Sequence, residues 1–128
     1  MKSRTWAPKL IKPTPRPKIP ADVRAAVDVK ITAAIAGLKR RCAKPKSPRF
    51  NWRSDVIARW HREALYIVAV MRTPHGRPPS FETHLGRIEH AGDGVFRLSL
   101  PMRRGWYTAF EDATLEECLS YLAKFASM

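Results

Sequence analysis

The chain has 128 residues and carries 24 Lys and Arg against 11 Asp and Glu, a formal net charge of +13. This length suits one domain with a modest core, and a hydrophobic fraction of 45% indicates a folded chain. No apolar run reaches the roughly 18 residues that span a bilayer, and no secretory signal is recognisable, so we expect no membrane partner. With two cysteines, too few for a disulfide framework, the sequence predicts a cytoplasmic protein.

The positive charge is concentrated in the N-terminal part of the chain. Residues 1–50 hold 14 Lys and Arg and two Asp, a net charge of +12. Residues 51–128 hold 10 Lys and Arg and nine Asp and Glu, a net charge of +1. Seven of the 11 prolines also precede residue 50. Because proline fixes φ and removes a backbone donor, residues 1–20 are expected to form an extended basic arm. This asymmetry favours a polyanionic partner, and a solvated tail without a binding role is the alternative.

Two helices are predicted in the domain that follows the arm. An apolar period of 3.6 residues predicts a helix over residues 21–40, and a linker rich in proline and cations follows at 42–49. Thr114 and Glu117 match a capping box, in which each side chain bonds the backbone N–H of the other residue. A strong apolar stripe then predicts the second helix over residues 115–126.

Between the helices the apolar period changes to two, which predicts an antiparallel sheet of four to five strands. Trp52 and Trp60 fall on the apolar side of the first strand, so both are expected in the core. The second strand is apolar on both faces, as expected for a central strand covered on both sides. Gly86 marks a candidate bulge in the third strand. The strands are expected at about 50–61, 64–72, 81–90, 95–100 and 106–110.

These elements predict a fold of the α+β class. Residues 21–128 are expected to form a single α+β domain, with the N-terminal and C-terminal helices packed on the antiparallel sheet. The extended basic Pro-rich arm precedes this domain. No motif in the chain is specific enough to name a family.

The four histidines do not form a recognisable metal site. Their spacings of 14, 9 and 6 residues match neither HExxH nor a zinc-finger pattern, and each cysteine stands alone, so no metal and no cofactor is expected. His61 and Glu63 at a hairpin tip, with Arg103 and Arg104 on another turn, supply the residue types of a small nuclease. No spacing requires that chemistry, so a nuclease is an alternative and a role without catalysis is preferred.

Cations beside aromatic residues favour nucleic acid as the partner. In proteins that bind single strands, cations contact the phosphates and aromatic rings stack on the bases. We therefore predict a small protein that binds RNA or single-stranded DNA, in which Trp106 and Tyr107 stack on bases and cations contact phosphates. The predicted site residues are Lys9, Lys12, Arg16, Lys18, Lys39, Arg40, Arg41, Lys44, Lys46, Arg49, Arg103, Arg104, Trp106 and Tyr107.

The competing hypothesis is a protein-interaction module, or a minor subunit of a ribonucleoprotein assembly. In that case the basic arm binds an acidic protein surface, as disordered segments that order on binding do. A pull-down with and without nuclease treatment separates the two classes, because partners held through nucleic acid are lost when it is digested.

Overall fold

The computed structural model describes residues 18–46, 49–74, 76 and 79–126, which form a five-stranded sheet and two helices. The order helix, five strands, helix confirms the predicted α+β class. The predicted basic arm lies outside the described residues except for residues 18–20. The element bounds are α1 Ala21–Lys39, β1 Trp52–His61, β2 Ala64–Arg72, β3 Ser80–Gly92, β4 Val95–Met102, β5 Gly105–Ala113 and α2 Leu115–Ala126.

The strands form an antiparallel meander in which each strand pairs with its neighbours in sequence, so β1 and β5 are the edges of this sheet. Strand β5 extends beyond the predicted residues 106–110, because its pairing with β4 continues through two register shifts until Ala113 lies opposite Phe96. The capping box is confirmed: Thr114 N donates to Glu117 Oε1 at 2.9 Å, and Glu117 N donates to Thr114 Oγ1 at 3.1 Å.

Both helices pack on the same face of the sheet, which places one core between two layers. Leu65, Ile67 and Ala69 of β2 join this core, whereas Val68 does not, although it is only 2% exposed. Among the described residues, the side of β2 that carries Val68 is covered by neighbouring side chains and not by a helix. The expected cover is therefore found on one face of β2 only; among the described residues, no second layer packs on the other face.

A β-bulge near the start of β1 reverses the alternation expected there. The register with β2 shifts between Arg53 and Asp55. Arg53 consequently lies opposite Met71, which packs against the core, and its Nη1 donates to the carbonyl oxygen of Ala126 in α2 at 2.9 Å. Since successive strand residues point to opposite faces, Trp52 lies on the face that turns away from the helices.

The two tryptophans of β1 therefore have different environments. Trp60 packs against the core as predicted: its Nε1 donates to Asp28 Oδ1 at 2.7 Å, and the Arg24 guanidinium lies 4.4 Å from its ring centroid. Trp52 is half-buried opposite the exposed Arg72, outside the core. The prediction that Trp52 belongs to the core is wrong because the sequence pattern did not include the bulge.

The predicted bulge at Gly86 is confirmed. The pairing of β2 with β3 passes from Ile67 opposite Gly86 to Val68 opposite His84, which leaves Leu85 as the extra residue. A Cβ atom on Gly86 would lie 2.8 Å from Cδ1 of Leu122. Glycine therefore lets α2 approach the sheet closely at this point.

Candidate nucleic-acid interface

Four aromatic rings form a contiguous series on the sheet face that points away from α1 and α2, which we call the open face. The ring centroid of His61 in β1 lies 6.2 Å from that of Tyr66 in β2, and Tyr66 lies 5.4 Å from His84 in β3. Trp106 of β5 lies 5.3 Å from His84 and 5.9 Å from Tyr66. These separations are those of interacting aromatic pairs, and we call the four residues the ring row.

The ring row crosses β4 without a ring from that strand. Pro101 lies opposite Trp106, and Ser99 lies opposite Arg87. Because both side chains on β4 are small, the Trp106 indole can lie across this strand and reach His84. The spacing of small and large side chains on three neighbouring strands thus produces the continuity of the row.

A fixed cation supports the Trp106 end of the ring row. The Arg87 guanidinium lies 4.5 Å from the Trp106 ring centroid, a cation–π contact, and its Nε lies 3.5 Å from Glu89 Oε1. Glu89 is 3% exposed and also lies 3.9 Å from Nη1 of Arg97. A buried carboxylate between two guanidinium groups holds Arg87 against the indole and compensates much of its charge.

A shallow cavity of about 360 Å³ opens over the ring row. At its border Arg59 donates two hydrogen bonds of 3.0 Å to the Glu82 carboxylate, and these bonds lower the pKa of Glu82 below its usual value. The cavity therefore offers an aromatic surface, and the charge of Arg59 at its border is compensated by Glu82. Such a surface suits a flat aromatic group. It is lined by Arg59, His61, Tyr66, Val68, His84 and Trp106.

The two predicted stacking residues do not share a face. Trp106 belongs to the ring row on the open face. Tyr107, 55% exposed, lies opposite Leu100, a core residue, and therefore sits on the helix side at the β5 edge. Neighbouring residues of a strand point to opposite faces, so only Trp106 of this pair can act on the open face.

Arg103 and Arg104 form the turn between β4 and β5, as the sequence predicts, and both are exposed. They directly precede the strand that carries Trp106, with Gly105 in a left-handed conformation (φ 128°). Both side chains are thus accessible to solvent, on the turn two to three residues before Trp106.

The other predicted cations lie elsewhere on the molecule. We call the end of the sheet where β1 begins and β4 ends the basic end. The last residues of α1 and the linker lie at this end, at the β1 edge of the sheet, because Lys39 Nζ lies 3.5 Å from Asp55 Oδ1 of β1. The Arg103–Arg104 turn lies at the opposite edge of the sheet. Lys18 is exposed at the other end of α1, and Lys9, Lys12 and Arg16 lie outside the described residues. The exposed cations of the helix end and linker are Lys39, Arg40, Arg41, Lys44, Lys46 and Arg49.

The opposite end of the sheet, which we call the acidic end, concentrates carboxylates. Both helices begin there, and acidic side chains in their first turns suit the positive end of the helix dipole. The turns at this end add further acids, so charge is separated along the strand direction. The acidic residues at this end are Asp22, Glu63, Asp93, Glu111, Asp112, Glu116 and Glu117.

Sequence reasoning missed Tyr66, His84 and Arg87 as members of one site. Tyr66 alternates with the core residues Leu65 and Ile67, so its face was predictable. Its contact with rings from three other strands was not, because that contact depends on register. Histidine spacing also gave no hint that His84 lies among aromatic rings.

The described part of the chain offers neither a metal cluster nor a membrane span. No group of three or more His, Cys, Asp or Glu residues among the described residues could hold a metal ion. Neither described helix combines the length and apolar character required to cross a bilayer.

Comparisons with protein-family models, with curated proteins and with solved structures found no match to this chain. The open face itself therefore supplies the basis for assigning a function.

Proposed function

We propose that this chain binds single-stranded nucleic acid, RNA or DNA, with bases stacked on the ring row and phosphates contacted by cations at the basic end. The observation that carries the proposal is the contiguous row of four rings on the open face, with Arg87 stacked on Trp106. Every base has a π-face, so such a row binds successive bases without reading their sequence. A cytoplasmic location belongs to the same proposal, since both cysteines are free thiols.

The ring row favours a single strand over a duplex. Stacking on a protein ring requires an exposed base face, and in a duplex each base face is covered by its neighbours. The cavity is open and lies on a sheet, whose flat surface accommodates bases that have left a stack. Unpaired bases are thus the groups that suit this surface.

The charges around the cavity favour an anionic ligand over a cationic one. Aromatic cavities also bind quaternary ammonium groups, but those sites lack neighbouring cations. Here Glu82 and Glu89 compensate the charges of the two guanidinium groups that border the rings. The exposed Arg103 and Arg104, on the turn that precedes Trp106, add positive charge. A nucleotide combines the aromatic ring and the negative charge that this arrangement suits.

Fluorescence anisotropy with a labelled single-stranded oligonucleotide near 50 mM salt tests the proposal. Replacing Trp106 or Tyr66 with alanine is expected to weaken binding by about tenfold or more, because one stacked base contributes about 1–3 kcal/mol. Tyr121→Ala is the matched control: Tyr121 lies on α2, packs edge-to-face on Phe110 at 5.1 Å, and is remote from the open face. Wild-type protein that binds no oligonucleotide, or Trp106→Ala that binds equally well, would contradict the proposal.

A second candidate function is that of a subunit in a ribonucleoprotein assembly, which the exposed apolar side chains at the basic end favour. Phe50 is 80% exposed and Met102 is 61% exposed, and both flank the cations proposed to contact phosphate. Exposed large apolar residues are typical of protein interfaces. Partners that are captured equally with and without nuclease would support this role.

A further inference from the structure

A second aromatic residue with cations beside it lies on the open face, at the opposite edge of the sheet from Trp106. We propose that the bound single strand crosses the five strands at the basic end, from the Arg103–Arg104 turn to a second stacking position at Trp52. This inference rests on the proposed function and adds to it a path and a second subsite.

Trp52, like Trp106, has a cation in contact with its ring. The bulge in β1 turns Trp52 onto the open face, where it is half-buried and leaves ring surface accessible. Lys44 of the linker places its Nζ 5.8 Å from the ring centroid, and the exposed Arg72 lies directly opposite on β2. A ring with two cations from neighbouring segments is the unit that contacts one base and its phosphates.

The separation of the two tryptophans sets the length of the bound segment. Four strand intervals separate β1 from β5, which at about 4.8 Å each gives roughly 19 Å across the sheet. The register places Trp52 about five residues nearer the basic end than Trp106, about 16 Å along the strands, so the direct distance is about 25 Å. A strand that advances 3.4 Å or more per nucleotide covers this distance with about four to seven nucleotides.

Charge favours a path across the strands over one along them. A single strand that followed the strands would bring phosphates to the acidic end, near Glu63, Asp93 and Asp112. On the path across the basic end, the carboxylate of Glu82 is already bound by Arg59. The strand then meets the ring row at its Trp106 end, and the phosphates stay at the basic end. His61, at the other end of the row, lies two residues from Glu63 of the acidic end and is not on this path.

Oligonucleotide length separates the two stacking positions. We would measure the binding of a homopyrimidine trinucleotide and octanucleotide by calorimetry with wild type, Trp52→Ala and Trp106→Ala. The trinucleotide is expected to bind Trp52→Ala as it binds wild type, whereas the octanucleotide is expected to bind about tenfold more weakly. Trp106→Ala is expected to weaken binding of both. Octanucleotide affinity unchanged by Trp52→Ala would overturn the inference.

Two further variants keep the test decisive. If Trp52→Ala unfolds, the double variant Lys44→Ala, Arg72→Ala replaces it, with the same selective loss for the octanucleotide expected. Asp112→Lys at the acidic end is expected to leave octanucleotide affinity within about twofold at 0.15 M salt, where the Debye length is about 8 Å. A tenfold gain would show that the strand runs towards the acidic end and would overturn the path. If wild type binds neither oligonucleotide, the proposed function itself fails.

Discussion

At the scale of residues, Arg103 and Arg104 give the clearest test of phosphate contact, because they lie on an exposed turn that precedes Trp106. Replacing both with alanine is expected to weaken oligonucleotide binding and to lower the slope of log affinity against log salt. For a single strand each lost contact lowers this slope by about 0.7, so two contacts give about 1.4. Anisotropy titrations at several salt concentrations measure it.

Lys124→Ala is the control for this salt experiment, since Lys124 is an exposed cation on α2, on the helix side of the sheet. The slope of log affinity against log salt for Lys124→Ala is expected to match that of wild type. If the double arginine variant also keeps the wild-type slope, the turn is solvated and contacts no phosphate.

Gly86 gives a second prediction at the scale of residues, and it concerns the free energy of unfolding. Gly86→Ala is expected to lower the free energy of unfolding by about 1–3 kcal/mol, because its Cβ would lie 2.8 Å from Cδ1 of Leu122, which is 1% exposed. Gly37→Ala is the matched control: its Cβ would meet Arg40 Nη2 at an ordinary 3.6 Å inside a helix. That change is expected to stabilise by about 0.5–1 kcal/mol. Urea denaturation measures both, and equal signs for the two variants would contradict the packing argument.

At the scale of elements, the two bulges decide which side chains reach the open face. The bulge in β1 exchanges the faces of Arg53 and Trp52, and the bulge in β3 allows Leu85 to face the core while His84 and Arg87 face the open side. One extra residue reverses the side-chain direction of everything beyond it. The prediction for Trp60 was right and that for Trp52 was wrong for this one reason.

At the scale of the whole molecule, the charges of the described residues are separated between the two ends of the sheet, and the basic arm precedes α1 in sequence. The first residues that the structure describes already belong to the domain: Ile19 is 9% exposed, and the Pro20 carbonyl accepts a hydrogen bond from Arg24 N at 2.9 Å. A truncation that tests the arm should therefore end at residue 17.

Removing residues 1–17 is expected to leave a domain that unfolds cooperatively, with its core intact. Oligonucleotide affinity is expected to fall and its salt dependence to become shallower, since this segment carries Lys9, Lys12 and Arg16. Thermal unfolding by circular dichroism and anisotropy titrations check the two parts. Loss of cooperative unfolding would show that the arm is part of the fold. Unchanged affinity would show that the arm contacts no nucleic acid.

The sequence by itself determined the order of the elements, the capping box of α2 and the division of charge between the two parts of the chain. Each of these depends on residues close together in sequence: an apolar period, a pair three residues apart, or a local composition. Trp106 and the Arg103–Arg104 turn were also predicted as neighbours, because they are adjacent in the chain.

Only the tertiary structure decided which rings come together and on which face. The ring row unites His61, Tyr66, His84 and Trp106 from four strands, and its continuity depends on small side chains in β4. Cross-strand contacts follow from register, and register is set jointly by turns, bulges and the packing of both helices on one face. No local pattern contains that information, because a slip of one residue would direct the same side chains into the core.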